Sequence, residues 1–410
     1  MKSIRAAIVY HFLAHYREPI FRLLCSGEER PVEYFVFASD QADDPSLPGV
    51  KALRHDPTTA PELVARWTVV HNVWLLKKVL WQPAVVGMAL SSRFDCIVLL
   101  GNVNYLSSWL AAILARLTGK RVLMWTHGFL RREPLLKSAV RAAFYRLAHG
   151  LLLYGNRARN ILTEHGFDPA SMYVVYNSLD HDRQVELRET LTDATRTTMR
   201  NELGVPADHR LLLSVGRQNR AKRYEELIEA VGKAITAGSR LRLVLVGDGP
   251  ERAALEAHVA KLELQESIRF YGPCYDEARL AAMIWAADLF VVPGDIGLSC
   301  MHALAYGLPV ITHGNLDHQN PEIEAIRPGR NGDLFREHDV DDLARVIGTW
   351  LERLAVPAER ARAAEQCTEV IDRFFNAPYQ REVMDRAVQG LPPMTETPEG
   401  VIESPRDARA

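Results

Sequence analysis

Several positively charged side chains follow an apolar stretch in the second half of the chain. The segment Leu211–Ala230 has the sequence LLLSVGRQNRAKRYEELIEA, in which a buried strand is predicted to end at Gly216 and a helix to begin after Lys222. Glycine at a strand end lets the backbone turn tightly. Arg217 supplies a planar fork for bidentate contacts and Lys222 a point charge, a combination that suits a diphosphate. A solvated basic loop is an equally common reason for such a segment, so the chemistry needs a second indication.

That second indication lies in the segment Val291–Leu334. A predicted strand leads into Gly294-Asp295-Ile296-Gly297, and a helix is predicted to begin near Ser299. Free N–H groups and the helix dipole make such a glycine-rich helix start a binding site for phosphate. Gly307 and Pro309 then end the helix and open the next strand. The two segments together indicate a site for a nucleotide diphosphate.

The elements that must position these residues are alternating strands and helices. Continuous apolar strands are predicted from Arg5–Phe12 to Tyr173–Asn177 in the first half and from Leu211–Val215 to Val310–His313 in the second. Apolar strands separated by amphipathic helices predict parallel sheets covered on both faces. In such sheets, ligands bind beyond the carboxyl ends of the strands.

The ordered series of motifs resembles the retaining GT-B glycosyltransferases of family 4, the glycosyl transferases group 1. The resemblance runs over roughly residues 211–350. It rests on these segments in this order: Gly216-Arg217 with Lys222, Gly247-Asp248-Gly249-Pro250, Ala303 to Ile311, Pro321-Glu322-Ile323 and Asn331-Gly332. It implies an α/β GT-B fold with two Rossmann-like domains whose parallel sheets face a central cleft.

One departure from the family pattern concerns its pair of glutamates. The positions that match them hold Gly294 and His302. In similar enzymes the second glutamate holds the nucleotide ribose, and His302 can donate or accept a hydrogen bond there. The first glutamate contacts the donor sugar, and Asp295 is the neighbouring candidate for that role. We interpret the chain as a variant of the family rather than an inactive relative.

By resemblance, the site residues fall into three groups. The catalytic residues are His127, Arg217 and Lys222, with His127 at the end of the strand RVLMWTH and directed at the donor sugar. An interpretation of His127 as a strand-end histidine satisfied by backbone remains open. The donor-binding residues are Gly216, Asn219, Gly247, Pro273, Asp295, Gly297, Leu298, Ser299, His302, Glu322 and Glu324. The acceptor-binding residues are His11, His15, Tyr16 and Arg17, in the loop after the first strand.

Four regions are predicted along the chain. Residues 1–190 form an acceptor-binding Rossmann-like domain, and residues 191–364 form the nucleotide-sugar-binding one. A C-terminal helix over about 365–391 packs back on the first domain. Residues 392–410, rich in Pro, Glu, Thr and Ser, form a disordered tail. The sequence Asp180-His181-Asp182 is interpreted as a hinge loop and not as a metal motif.

Bulk composition limits the partners. The formal net charge is -2 over 410 residues, which argues against nucleic-acid binding. The five scattered cysteines indicate a reducing compartment without disulfides. We expect no cofactor and no metal, a UDP- or GDP-linked sugar as donor, and a saccharide or lipid-linked saccharide as acceptor in polysaccharide or glycolipid assembly.

The predicted location is the cytoplasm, with peripheral attachment to the inner face of the membrane. Two basic amphipathic stretches, Asn72–Trp81 and Phe129–His149, motivate a contact with an anionic membrane surface. A packed helix with a solvated basic edge explains the same pattern.

Two other functions stay open. One is a sugar-nucleotide epimerase on the same architecture. The other is a non-catalytic partner in a polysaccharide assembly complex, which the missing glutamates suggest.

Overall fold

A computed structural model describes residues 3–27, 30–44, 50–58, 60–129 and 134–400. Among them the chain divides into two compact units, each with its own sheet. The first unit contains the chain up to Asp180 together with Asn376–Thr397, and the second contains His181–Phe375. The boundary therefore falls at Asp180 rather than at residue 190. His181 and Asp182 begin a helix, His181–Thr190, so the loop predicted for Asp180-His181-Asp182 is wrong for these two residues, while the boundary between the units does fall in this segment.

The first unit is built on a seven-stranded parallel sheet in the order β3-β2-β1-β6-β7-β8-β9, with a separate antiparallel hairpin of β4 and β5. Its strands are β1 Ile4–Phe12, β2 Val32–Ser39, β3 Trp67–Val69, β4 Val73–Leu75, β5 Val79–Trp81, β6 Cys96–Leu100, β7 Arg121–Thr126, β8 Gly150–Leu153 and β9 Met172–Val174. Its helices before Asp180 are α1 Glu18–Cys25, α2 Pro61–Arg66, α3 Pro83–Leu90, α4 Leu106–Leu117, α5 Leu135–Tyr145 and α6 Asn156–Glu164.

Burial on both faces explains why the strands of this sheet are continuously apolar. Along β1, Ala6, Ile8 and Tyr10 pack into one hydrophobic core, while Ala7 and Val9 pack into a second core on the other face. Successive side chains of a strand alternate between faces, so an apolar residue is needed at every position.

The second unit has a six-stranded parallel sheet in the order β12-β11-β10-β13-β14-β15. Its strands are β10 Arg210–Val215, β11 Leu241–Val246, β12 Ile268–Gly272, β13 Leu289–Val291, β14 Val310–His313 and β15 Gly332–Phe335. Its helices are α7 His181–Thr190, α8 Asp193–Glu202, α9 Tyr224–Thr236, α10 Arg252–Lys261, α11 Glu277–Ala286, α12 Leu298–Ala305, α13 Val340–Arg353 and α14 Pro357–Phe374. The predicted α/β fold with two parallel sheets is confirmed.

The predicted C-terminal helix is two helices. α14 ends at Phe374 within the second unit, and α15, Ala377–Gln389, packs against α1 and the sheet of the first unit. Asn376 separates them, because its side chain caps α15 by accepting a hydrogen bond from the Tyr379 N–H at 2.8 Å. Of the predicted tail, residues 392–400 form no helix or strand, yet Met394 packs against the first core. Residues 401–410 lie outside the described residues.

Candidate functional site

In the second unit, the loops after β10 and β13 meet because these two strands are neighbours in the sheet. The Gly294 N–H donates to the carbonyl of Lys222, and the Asp295 N–H donates to the carbonyl of Ala221, each at 3.0 Å. The cationic turn and the glycine-rich loop, which lie more than seventy residues apart in the sequence, are therefore joined by backbone hydrogen bonds.

This junction accounts for Gly294. A Cβ atom at this position would lie 1.8 Å from the Ala221 carbonyl oxygen. Only glycine allows the two backbones to approach so closely. A glutamate at residue 294 is thus incompatible with the loop as this chain folds it.

The two predicted cations are placed differently. The Lys222 ammonium lies 3.1 Å from the Asp295 carboxylate and donates to its main-chain carbonyl at 2.5 Å. Arg217 is exposed at the carboxyl end of β10. Asp295 therefore balances the charge of Lys222 in this state of the protein, and Asn320 also donates to Asp295, at 3.3 Å.

Asn219 presents an unusual acceptor in the same turn. Its Oδ1 is buried and has no hydrogen-bond partner among the described residues. A buried carbonyl oxygen without a partner is costly unless a ligand or water completes it. This is consistent with the predicted role of Asn219 in donor binding.

Helix α12 begins at the same edge of the sheet. Gly297 is its N-cap residue, and no side chain caps the helix there. The first backbone N–H groups, those of Leu298 and Ser299, are available to an anion, as N–H groups of a first turn have no acceptor within the helix. The predicted helix start after the glycine-rich loop is thus present beside the cationic turn.

His302 lies on α12 and contacts a carboxylate that sequence reasoning missed. Its Nδ1 is 3.2 Å from Oε1 of Glu277 on α11 and 3.4 Å from Nε2 of Gln184 on α7. Burial opposes ionisation of Glu277, but hydrogen bonds from His302, Tyr306 and Gln184 lower its pKa. A proton on Nδ1 can be donated to the ionised Glu277 carboxylate, and Nε2 is then left as an acceptor.

The other predicted donor residues lie at varying depth. Gly247 adopts a φ of 131°, and a Cβ there would lie 2.0 Å from the Gly216 carbonyl oxygen, so these two glycines also mark a close approach of loops. Pro273 is exposed after β12. Glu322 and Glu324 are buried in a 3-10 helix, at 6% and 1% exposure.

In the first unit, Arg17 is the centre of an aromatic cluster. Its side chain is buried, and Nη2 donates to the hydroxyl of Tyr154 at 2.6 Å. The guanidinium also lies 5.2 Å from the ring centroids of Trp125 and Tyr154 and 5.7 Å from that of Tyr10. Contacts of this kind hold a cation in place through the ring faces.

His127 borders this cluster. It follows β7, and its ring centroid is 4.4 Å from that of Tyr154. The ring is accessible to solvent and makes no hydrogen bond within the described part of the chain. Closely surrounding protein, and secondarily the charge of Arg17, lower the pKa of His127, so it is neutral at pH 7. Gly128 then turns the chain with a φ of 64°.

The other three predicted acceptor residues differ in burial and contacts. His11 is buried, with Nε2 3.5 Å from the Asp44 carboxylate, and burial lowers its pKa to about 4 despite that neighbour. His15 is exposed, and its Nδ1 is 3.3 Å from the carbonyl of Lys51. Tyr16 is half-buried against the His15 ring. Tyr16 stays near Arg17, whose guanidinium is 6.0 Å from its ring centroid, and Arg17 and His127 both contact Tyr154.

The side chains that commonly bind metals are not clustered in the described part of the chain. Among the described residues, no group of three or more His, Cys, Asp or Glu side chains is placed to hold a metal ion. The five cysteines are free thiols.

Solved structures define the class of fold. The chain matches Anabaena HepE, crystallised in complex with UDP, with a TM-score of 0.70 and 18% identity, over 95% of this chain and 100% of that one. It matches the sucrose-phosphate synthase of Thermosynechococcus elongatus with a TM-score of 0.61 and 18% identity, over 94% and 98% of the two chains. These likenesses show that the fold is that of GT-B glycosyltransferases.

Sequence comparison identifies the family of the second unit. Residues 195–368 match the family model described as Glycosyl transferases group 1, so the resemblance is confirmed for this region. The D-inositol 3-phosphate glycosyltransferase of Geodermatophilus obscurus is 32% identical over 240 residues, which are 54% of this chain and 50% of that protein. The enzyme of the same name from Mycobacterium tuberculosis H37Ra is 29% identical over 221 residues, 51% of this chain and 42% of that protein. The chain spans about half the length of the curated relatives it matches.

Proposed function

We propose that this chain is a glycosyltransferase that moves a sugar from a UDP- or GDP-sugar to a hydroxyl group of a saccharide or lipid-linked saccharide. The observation that carries the proposal is the junction of the β10 and β13 loops, which brings Lys222 beside the start of α12 within a glycosyl transferases group 1 region. The names of the curated relatives, and the UDP bound to HepE, support a nucleotide-sugar donor.

The leaving group in this reaction is a nucleoside diphosphate. Arg217, Lys222 and the N–H groups of Leu298 and Ser299 supply charge and hydrogen bonds where negative charge develops as the bond from sugar C1 to phosphate oxygen breaks. Asp295 must give up part of its contact with Lys222 when the diphosphate binds. It is then free to contact the donor sugar, the role the resemblance gives to the missing first glutamate.

His302 performs the function of the missing second glutamate in this proposal. A carboxylate accepts hydrogen bonds from ribose hydroxyls, and an imidazole that donates from Nδ1 to Glu277 offers one acceptor at Nε2. The family has a negatively charged glutamate at the position of His302. In this chain the negative charge is on Glu277, whose carboxylate contacts His302. This arrangement favours a working variant over the non-catalytic alternative.

The anomeric configuration is retained in the proposed mechanism. The new bond from C1 to the acceptor oxygen forms on the face that the phosphate leaves, and the departing phosphate oxygen takes the acceptor proton. His127, neutral at pH 7, hydrogen-bonds the donor sugar in this scheme. Arg217 and Lys222 carry the charge neutralisation, so transfer is expected without an added metal or cofactor and to continue in EDTA.

Membrane attachment is proposed through the first unit. Leu135 and Leu136 at the start of α5 are 90% and 80% exposed, and Leu76 in the β4–β5 turn is 92% exposed, next to Lys77 and Lys78. Exposed leucines beside cations suit an anionic interface. Arg131, Arg132 and Glu133, which belong to the predicted basic stretch, lie outside the described residues. Within the described residues, none of the helices combines the length and apolar character that crossing a bilayer requires.

Vesicle flotation tests the attachment. The chain is expected to float with vesicles that contain anionic lipid, and Leu135→Ser/Leu136→Ser to lose most of that flotation, since about 1.5–3 kcal/mol for each leucine inserted in the interface is worth tenfold or more in partitioning. Val356→Ser, which changes an exposed apolar residue of the second unit, is the control. Equal flotation of the leucine double variant and Val356→Ser would show that α5 does not contact the membrane.

Transfer itself is tested with a panel of nucleotide sugars, with and without saccharide acceptors. We expect product only when both substrates are present, with release of nucleoside diphosphate and retention of configuration by NMR. Conversion of donor alone would identify an epimerase. Absence of both binding and turnover across the panel would identify a non-catalytic protein. Transfer by Arg217→Ala within a few fold of wild type would show that the donor site is misplaced.

A further inference from the structure

Four arginines surround one buried carboxylate at the amino-terminal edge of the second sheet. Asp288 comes directly before β13 and is 2% exposed. Its carboxylate accepts hydrogen bonds from Arg360 Nη2 at 2.6 Å, the Leu211 N–H at 2.7 Å, Arg196 Nη2 at 2.9 Å and Arg200 Nη1 at 3.2 Å, and it lies 3.8 Å from Arg210 Nη1. None of these residues belongs to the proposed donor site.

The charges of this cluster do not balance. Burial opposes ionisation of Asp288, yet Arg360, the Leu211 N–H and Arg196 hold its pKa below the ordinary value. The pKa of Arg196 is lowered by burial and by Arg360 and Arg200, although Asp288 acts in the opposite direction. Four cations that share one carboxylate repel one another, and a second anion would relieve that repulsion.

A cavity of about 720 Å³ opens onto the cluster. Two further acids, Asp193 and Asp208, belong to its lining. Asp208 is already paired with Arg240 and with His209 at 3.0 Å, and Asp193 is exposed. The lining also contains Trp285 and further apolar residues that can contact the body of a small molecule: Ile284, Leu308, Pro309 and Pro357.

A purely structural role, in which the arginines hold helices in place, accounts for three of the four arginines. Arg196 and Arg200 also donate to backbone carbonyls at the end of α11, and Arg360 donates to the carbonyl of the residue after α13, so these three arginines hold helices together as well as binding Asp288. The guanidinium of Arg210 makes no hydrogen bond among the described residues, and its side chain is 37% exposed. Arg210 therefore holds unused donors beside the cavity.

We propose that this cavity binds the phosphate group of a small phosphorylated molecule, with Arg210, Arg196 and Arg360 as its ligands. Guanidinium forks match phosphate oxygens bidentately. The six residues of β10 separate Arg210 from the donor turn by about 20 Å, at ~3.3 Å per residue. The ligand is thus an effector and not a reactant, and the proposal stands independently of the transferase function.

Calorimetric titration of the full chain tests the site. Arg217→Gln/Lys222→Gln serves as the background, so that the donor clamp does not bind the probe. Inorganic phosphate, pyrophosphate and a hexose phosphate are titrated into that background, and into the background with Arg210→Gln added. The matched control adds Arg345→Gln instead, an exposed arginine of α13 that pairs with Asp342.

The proposal predicts saturable binding that Arg210→Gln weakens by about tenfold or more and that Arg345→Gln leaves unchanged. Tenfold corresponds to about 1.4 kcal/mol, which the loss of one charge-assisted hydrogen bond can account for. Equal affinity for inorganic phosphate and the ester assigns the site to phosphate itself, and tighter binding of the hexose phosphate assigns it to a sugar ester. Absence of saturable binding in the background, or equal effects of the two arginine variants, overturns the proposal. Unchanged thermal unfolding of Arg210→Gln without ligand confirms that the variant is folded.

Discussion

Replacing Gly294 by glutamate restores the residue that the family has at this position, yet we expect the change to damage the protein. The new Cβ would lie 1.8 Å from the Ala221 carbonyl oxygen, so the two loops must separate by about 1.2 Å to reach even 3.0 Å. That separation breaks the two backbone hydrogen bonds at 3.0 Å that join Gly294 and Asp295 to the β10 loop.

The magnitude follows from these contacts. Two lost hydrogen bonds cost about 1 kcal/mol each and the overpacking about 1–3 kcal/mol, together roughly 3–5 kcal/mol. For a unit of this size, each kcal/mol lowers the melting temperature by about 2–4 °C, so a fall of roughly 6–20 °C is expected. Because Lys222 moves with its loop, nucleoside diphosphate affinity falls by at least about tenfold.

Thermal unfolding followed by circular dichroism, with diphosphate titration, measures both effects. Gly294→Ala isolates the steric part and is expected to show most of the loss. Gly348→Ala is the control, because a Cβ there meets nothing within 4 Å and the residue lies inside α13. A Gly294→Glu protein that melts within about 2 °C of wild type and binds diphosphate as tightly refutes the reasoning.

Three further predictions concern single residues. Asp295→Asn removes the charge that Lys222 now balances, so diphosphate should bind about two- to tenfold more tightly by calorimetry, and weaker binding would contradict the pairing. Glu277→Gln removes the carboxylate that orients His302, so nucleotide-sugar affinity should fall about three- to tenfold while the melting temperature stays unchanged. Unchanged affinity would show that His302 does not bind the ribose. Burial lowers the pKa of His313 to about 4, so the unfolded chain binds the proton first, and this histidine lowers stability as pH drops from 6.5 towards 4, by at most about 1.4 kcal/mol per unit, in addition to the same effect of His11 and His127. His313→Gln should flatten that loss in urea unfolding, and an unchanged slope would assign the loss to other groups.

Residue type and strand position were enough to predict that the turn after β10 and the glycine-rich loop after β13 lie at one edge of a parallel sheet. Gly216 and Arg217 follow a strand that is buried because both faces of its sheet are covered, and the carboxyl ends of neighbouring parallel strands share one edge. The strands predicted at Val32–Ser39 and Val310–His313 have those bounds in the structure. The hydrophobic pattern determines such elements locally.

Contacts between segments that are distant in the sequence could not be predicted in the same way. Glu277 appears in the sequence as an ordinary acid in the first turn of α11, and its contact with His302 depends on how α11 and α12 pack. Tyr154 was not singled out, although its place just after β8 could have suggested a role beside His127. The strand β15 was missed because four residues beginning with Gly332 have no recognisable periodicity.

Equilibrium binding of UDP and GDP to the wild-type chain and to Arg217→Ala tests the central claim most directly. We predict saturable binding of one of these nucleotides to the wild type, a loss of at least about tenfold in Arg217→Ala, and wild-type affinity in Arg345→Ala. Equal affinity of wild type and Arg217→Ala, or no binding of either nucleotide to the folded wild type, would contradict a donor site at the β10 and β13 loops.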